Sequence, residues 1–249
     1  MRARIREQIY QCGDYLYARV YPVFEQPRGG RRKKFRPTSE VQQRLNEYNR
    51  EQHLARLIAA NFTASDTWLT PTFRPADLPQ DPEELKRVFR NFIRRLTRAY
   101  RARGAELKYI AVLEQSETGR YHVHMIVNSL LTPDELRDIW GMGRVRCDAL
   151  DFNETGVIGL ANYMTKYRLV CRRYLRSRNL TDPQPQYRDG RLSQRQVREL
   201  AASADVPAAF EALYPGYRFA VCRPFYNEIN TYRYLSIVMY KDTKNRRRE

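Results

Sequence analysis

Leu113–Val127, LEQSETGRYHVHMIV, is the stretch from which the rest of the chain can be read. His122 and His124 flank Val123, so on a strand both imidazoles project from one face. Met125-Ile126-Val127 follows as a β-prone run, which makes a strand the natural reading. The chain has three histidines in all, and two of them stand here one residue apart, a preorganised pair of nitrogen ligands for a divalent ion. Lys108–Glu114 reads as the preceding strand, joined through the turn-rich Ser116-Glu117-Thr118-Gly119 into a hairpin. If Gln115 opposes Tyr121, Glu114 faces His122; a register shifted by two makes it face His124. Either odd-length loop brings the carboxylate to the histidine face, whereas an even-length loop sends it away and leaves Gln115 as the fallback ligand. Two half-buried surface histidines would give the same HxH spacing, so a second signal is needed.

That signal lies in Leu160–Tyr167, LANYMTKY. Val157, Leu160, Ala161 and Met164 fall at helical spacing on one side. Tyr163 and Tyr167 are i, i+4 and share a face, with Lys166 alongside. A tyrosine near a metal, with a lysine close by, is the equipment for attacking a phosphodiester: the phenolate attacks and the ammonium offsets developing charge.

With these motifs quoted, the chain resembles the HUH endonucleases (histidine–hydrophobic–histidine), specifically the rolling-circle replication initiators of bacterial plasmids and phages. The resemblance rests on an ordered set: Trp68-Leu69-Thr70, Glu114, His122 with His124, then Tyr163 with Lys166. It covers roughly residues 60 to 170. HxH and YxxK are each weak alone, and their order here favours an initiator over a relaxase. One departure is Pro71, where the family's first strand continues; a proline there predicts a strand that ends early or lies on an edge. The resemblance implies that Glu114, His122 and His124 hold Mg²⁺ or Mn²⁺, and that Tyr163, with Lys166 and Tyr167, carries the chemistry. The implied activity is origin-specific nicking and rejoining of single-stranded DNA through a 5′-phosphotyrosine. The implied partners are an origin hairpin, with host helicase and polymerase. The competing readings are an HUH transposase and a non-catalytic nucleic-acid-binding regulator.

Composition agrees with a polyanionic partner. The 249 residues carry 45 Lys and Arg against 28 Asp and Glu, a formal charge of +17. That excess goes well beyond what solubility requires, and nucleic acid is the first candidate. The four cysteines (Cys12, Cys147, Cys171, Cys222) form no CxxC pair and read as reduced thiols. No apolar run is long enough to span a bilayer, and no signal peptide is visible, so no membrane partner and a cytoplasmic location are expected.

Along the chain, Tyr15–Val23 alternates and reads as the first strand. Arg31, Arg32, Lys33, Lys34 and Arg36 lie in a basic loop suited to phosphate contact. Ser39 with Gln42 opens a helix that turns Val41, Leu45, Tyr48, Leu57 and Ile58 inward, with His53 on its surface. A strand over 66–73 follows. Asp81-Pro82-Glu83-Glu84 starts a long packing helix with Asp81 as cap and Glu84 closing the box. Thr132–Trp140 is a second capped helix, stopped at Gly141. In 143–150, Arg144 and Arg146 share a strand face and are candidate nucleic-acid contacts. Residues 176–191 read as a long loop and 193–202 as a short capped helix. Tyr217–Cys222 and Arg233–Lys241 read as a closing hairpin with a long, partly irregular connection.

These elements predict an α+β fold, with a central antiparallel β-sheet of about five strands in an HUH/RRM-like core backed by helices, and an α/β C-terminal extension. Residues 1–178 are expected to form the endonuclease domain, and 179–249 an extension on the same sheet with a basic tail. No phosphate loop of the GxxxxGK[ST] type is present, so no helicase domain is expected.

Overall fold

The structure is a computed structural model that describes residues 3–24, 40–116, 119–166, 174–227 and 230–241, with the side chains of residues 40–45 and 166 outside that description. In chain order the elements are β1 (Arg4–Cys12), β2 (Tyr15–Val23), α1 (Glu40–Asn61), β3 (Thr67–Pro71), α2 (Pro82–Ala102), β4 (Tyr109–Gln115), β5 (Tyr121–Val127), α3 (Pro133–Trp140), β6 (Val145–Ala149), α4 (Ile158–Lys166), β7 (Leu175–Arg176), β8 (Gln186–Asp189), α5 (Gln194–Ala202), α6 (Pro207–Leu213), β9 (Arg218–Asn227) and β10 (Tyr232–Tyr240). The fold is α+β, with two antiparallel five-stranded sheets ordered β8-β1-β2-β10-β9 and β6-β3-β5-β4-β7. The chain divides into two compact units.

One unit comprises Asn61–Phe152 and Ile158–Thr181. Its sheet has one face closed by α2 and α3. Leu69, Ala111, Leu113, Val123, Met125 and Val127 meet Leu85, Phe89, Phe92, Leu96, Leu136 and Trp140 in one buried cluster. Phe92 and Trp140 meet edge to face at 4.9 Å. Each such buried large side chain stabilises by up to about 1.5–3 kcal/mol. The helices begin where short polar side chains replace missing backbone partners. Thr132 and Glu135 form a reciprocal capping box on α3, which Gly141 ends at φ 67°. On α2, Asp81 accepts from the Glu84 backbone N–H. Glu84 itself reaches back to the Gln80 N–H at 2.9 Å, not to that of Asp81, so the expected box is shifted by one residue.

Pro71 predicts a β3 that is short or lies on an edge. β3 instead lies inside the sheet, paired with β6 from Thr67↔Ala149 to Pro71↔Val145. Its ladder with β5 runs only to Leu69↔Met125, so the missing N–H falls beyond the last β5 pair.

The other unit comprises Met1–Ala60, Asn153–Val157 and Asp182–Glu249. Here Ile5, Ile9, Leu16, Ala18, Val20, Leu235, Ile237 and Met239 form a core with Val197 on α5 and Phe210 on α6. The expected division at 178/179 does not hold. The N-terminal hairpin β1–β2 pairs with β10 and β8, so the C-terminal strands complete the N-terminal sheet and not the one that carries the histidines. Tyr15–Val23 is also the second strand, not the first. β1 escapes a hydrophobic reading because Arg4, Arg6 and Gln8 alternate with Ile5, Glu7 and Ile9. Glu7 is only 1 % exposed. It lies inside because the Tyr214 hydroxyl donates to it at 3.0 Å and Arg191 approaches at 3.4 Å. The expected loop over 176–191 contains β8, and the closing hairpin has longer strands than expected. Pro224 falls within β9, where the edge position leaves one side unpaired.

Among the described residues Cys12, Cys147 and Cys222 carry free thiols, and Cys171 lies outside them. No described helix is long and apolar enough to cross a membrane.

Candidate active site

The face of the second sheet opposite α2 and α3 is populated by the even-numbered residues of β3, β4 and β5, because cross-strand partners share a side. In the β4–β5 hairpin Gln115 opposes Tyr121, Glu114 opposes His122 and Val112 opposes His124. The odd-length register is therefore the one adopted, and Glu114 joins the histidine face. Gln115, of opposite parity, turns to the loop and donates to the Gly119 carbonyl at 3.1 Å, which removes it as the alternative ligand.

His124 Nε2 lies 2.9 Å from Glu114 Oε1. An ionised carboxylate only accepts, so in that state Nε2 carries the proton and Nδ1 is left as an acceptor. The Thr70 hydroxyl lies 3.3 Å from Nδ1 and suits that tautomer. Both His124 and Glu114 are 7 % exposed. Burial pushes the His124 imidazole below its ordinary pKa against the pull of Glu114, with a lesser push in the same direction from His122. A neutral imidazole is the form that ligates a cation. The His122 ring lies nearly parallel to that of His124, with centroids 6.3 Å apart.

Tyr163 enters this group from α4. Ala161 and Met164 bury the inner side of the helix, while Tyr163 remains 37 % exposed. Its ring meets His124 edge to face at 5.5 Å and Trp68 at 5.9 Å. Trp68 stacks on His124 at 5.6 Å, with their planes 9° apart. The indole thus holds the imidazole plane on one side and the phenol ring on the other. Trp68 and Thr70 carry site contacts that the sequence reading did not assign. The signal was available, since both have the parity that β3–β5 pairing places with His124.

The structure brings Glu114, His122, His124 and Tyr163 to one group. Lys166 ends α4, but its side chain is outside the described part, as is Tyr167. Arg31, Arg32, Lys33, Lys34 and Arg36 also fall outside it. Arg146 opposes Thr70 across β3–β6, and so lies on the histidine face, paired with Asp148 at 2.8 Å. Arg144 is exposed just before β6, and its carbonyl accepts from the Thr72 N–H at 2.8 Å. His53 is exposed on α1 and belongs to the other unit.

Among the described residues no three His, Cys, Asp or Glu side chains are arranged as a set that could hold a metal ion. His124 Nε2 is engaged by Glu114. The chemistry of the donors nevertheless fits a divalent cation: one carboxylate and two imidazoles share a face, and Glu114 Oε2 is buried with no hydrogen-bond partner. An unsatisfied buried oxygen of this kind costs about 1–3 kcal/mol, which a cation would offset.

Together, the sheet, the carboxylate–imidazole pair and the tyrosine helix define a site suited to chemistry on a phosphate. Residues 66–168 match a family model of replication-associated proteins, the ORF2 type. The match spans less than half of the chain and contains every residue of the group just described. It supports a role in replication initiation. No curated protein and no solved structure matches the chain.

Proposed function

We propose that this chain is an HUH-type DNA endonuclease and strand transferase, which nicks and rejoins single-stranded DNA at a replication origin. The observation that carries the proposal is the contact of Tyr163 with His124 beside Glu114, inside the segment that matches the replication-associated family. Glu114, His122 and His124 are the residues that would hold Mg²⁺ or Mn²⁺. Bound there, the ion would supply Lewis-acid polarisation of the scissile phosphate. The Tyr163 phenol oxygen, once deprotonated, forms a bond to phosphorus as the P–O3′ bond breaks. The departing 3′ oxygen takes up a proton and becomes a free hydroxyl. The 5′ end remains esterified to the tyrosine, so the same hydroxyl can later attack the phosphotyrosine and restore the strand without ATP. A free phenol has a pKa of about 10, so positive charge near Tyr163 is needed to favour phenolate at neutral pH, and Lys166 is the residue of this chain assigned to it. Arg144, Arg146 and the 31–36 loop would contact the strand, and the +17 charge fits that partner. Host helicase and polymerase are the expected further partners, and the cytoplasm the expected compartment.

Trp68 gives the proposal a test away from the reacting atoms. Trp68→Ala is expected to lower cleavage by about 10- to 100-fold through misplacement of His124 and Tyr163. Oligonucleotide affinity should hold within about threefold, and Trp68→Phe should recover much of the rate. Parallel loss of binding and cleavage, with no recovery by phenylalanine, would assign the indole to DNA binding instead. The overall proposal is tested by incubating the protein with single-stranded origin oligonucleotides and Mn²⁺ and resolving the products on a denaturing gel. A non-catalytic regulator would bind with steep salt dependence and yield no adduct.

A further inference from the structure

The unit built on β1, β2, β8, β9 and β10 carries a cleft that the proposed chemistry does not use. Its volume is about 250 Å³, and its lining includes Ile5, Val197, Arg198, Tyr226, Tyr232 and Arg233. That is space for one base and its phosphate, and falls short of a cofactor-sized pocket of roughly 300–1,000 Å³. The floor is apolar, since Ile5 and Val197 are 4 % and 2 % exposed and belong to the core of the unit. The rim is cationic and aromatic. Arg233 lies over the Tyr226 ring at 5.5 Å, and Tyr226 itself remains 47 % exposed.

The charges on this rim distinguish it from an ordinary basic surface. On the same helix Arg195 is neutralised by Glu199 at 2.8 Å. Across the sheet Arg6 is neutralised by Asp189 at 2.7 Å. Arg198 and Arg233 have no ion-pair partner among the described residues, and both border the one cleft. Two uncompensated guanidiniums beside an exposed aromatic face suit a phosphate and a stacked base, which is the recurring way single strands are held. An acidic peptide would use the guanidiniums but leave the exposed ring without a partner.

We propose that this cleft is a second subsite for single-stranded DNA, in which Arg198 and Arg233 hold a backbone phosphate and Tyr226 stacks a base. The inference rests on the reading of the chain as a protein that handles single-stranded DNA, and adds a contact in the unit that lacks the candidate active site. The test uses the whole protein and fluorescein-labelled oligothymidylate of 30 nucleotides, titrated by anisotropy at several salt concentrations. Arg198→Ala/Arg233→Ala should reduce the slope of log affinity against log salt by about 0.7 to 1.4, corresponding to one or two lost ionic contacts. Tyr226→Ala should weaken binding by about fivefold or more. Arg195→Ala, already paired within its helix, should change neither. Oligonucleotides carrying 5-iodouracil should photocrosslink to Tyr226 or Tyr232. Unchanged affinity and slope in the variants, with no crosslink at these tyrosines, would overturn the subsite while wild-type binding left the proposed function standing. Failure of the wild-type protein to bind the oligonucleotide would overturn both.

Discussion

Tyr163→Phe is expected to abolish the covalent protein–DNA species and to lower strand cleavage by on the order of 10³-fold, about 4 kcal/mol on the barrier. The phenylalanine keeps the ring that packs edge-on against His124 and Trp68, so the site should keep its shape and oligonucleotide affinity should be unchanged within about twofold. Only the attacking oxygen is lost. Cleavage products on a denaturing gel and anisotropy with the same oligonucleotide separate the two quantities. Adduct that persists in the variant would move the nucleophile to Tyr167, one helical turn further along the sequence.

The second large effect is expected from the carboxylate–imidazole pair. Glu114→Gln and His124→Ala should each lower cleavage by about 100-fold or more, at least the scale on which even outer partners of a metal site act. Chelation of divalent ions should reproduce the loss in the wild-type protein and add little in either variant. Binding to single-stranded DNA should persist, because affinity is carried by basic residues elsewhere. Glu114→Gln is the more discriminating change: it keeps the volume and an oxygen that can accept from His124, but removes the charge a cation requires. Equal loss of binding and cleavage, or melting of the variants, would make the pair a structural element of the sheet.

Much of the candidate site was legible because it depends on parity. His122 and His124 share a face in any strand, and Glu114 joins them for any odd-length hairpin loop. The observed pairing Glu114↔His122 is one of the two registers that the turn residues allow. Tyr163 was legible from helical spacing, as Ala161 and Met164 fix which side of α4 is buried. The contacts of Trp68 and Thr70 required knowing that β3 pairs with β5, across more than fifty residues of chain.

The arrangement of the remaining chain was not legible for a related reason. β1 is stabilised by partners that no local window contains: Arg6 meets Asp189 across a separation of 183 residues, and Glu7 meets Tyr214 across 207. Read locally, RIREQIY is too charged for a half-buried strand. The same distance effect defeated the domain boundary. A sequential cut assumes that neighbours in sequence fold together, whereas this chain begins one sheet, builds another, and returns to finish the first.

The most direct measurement of the central claim is the chemical identity of a trapped intermediate. Wild-type protein is incubated with a single-stranded origin oligonucleotide library and Mn²⁺, denatured, digested with protease and nuclease, and sequenced by tandem mass spectrometry. The expected product is the peptide containing Tyr163, with the 5′ phosphate of a nucleotide esterified to its phenol oxygen. A nicked strand with no nucleotide on any tyrosine, or a phosphate joined through another residue type, would contradict the account.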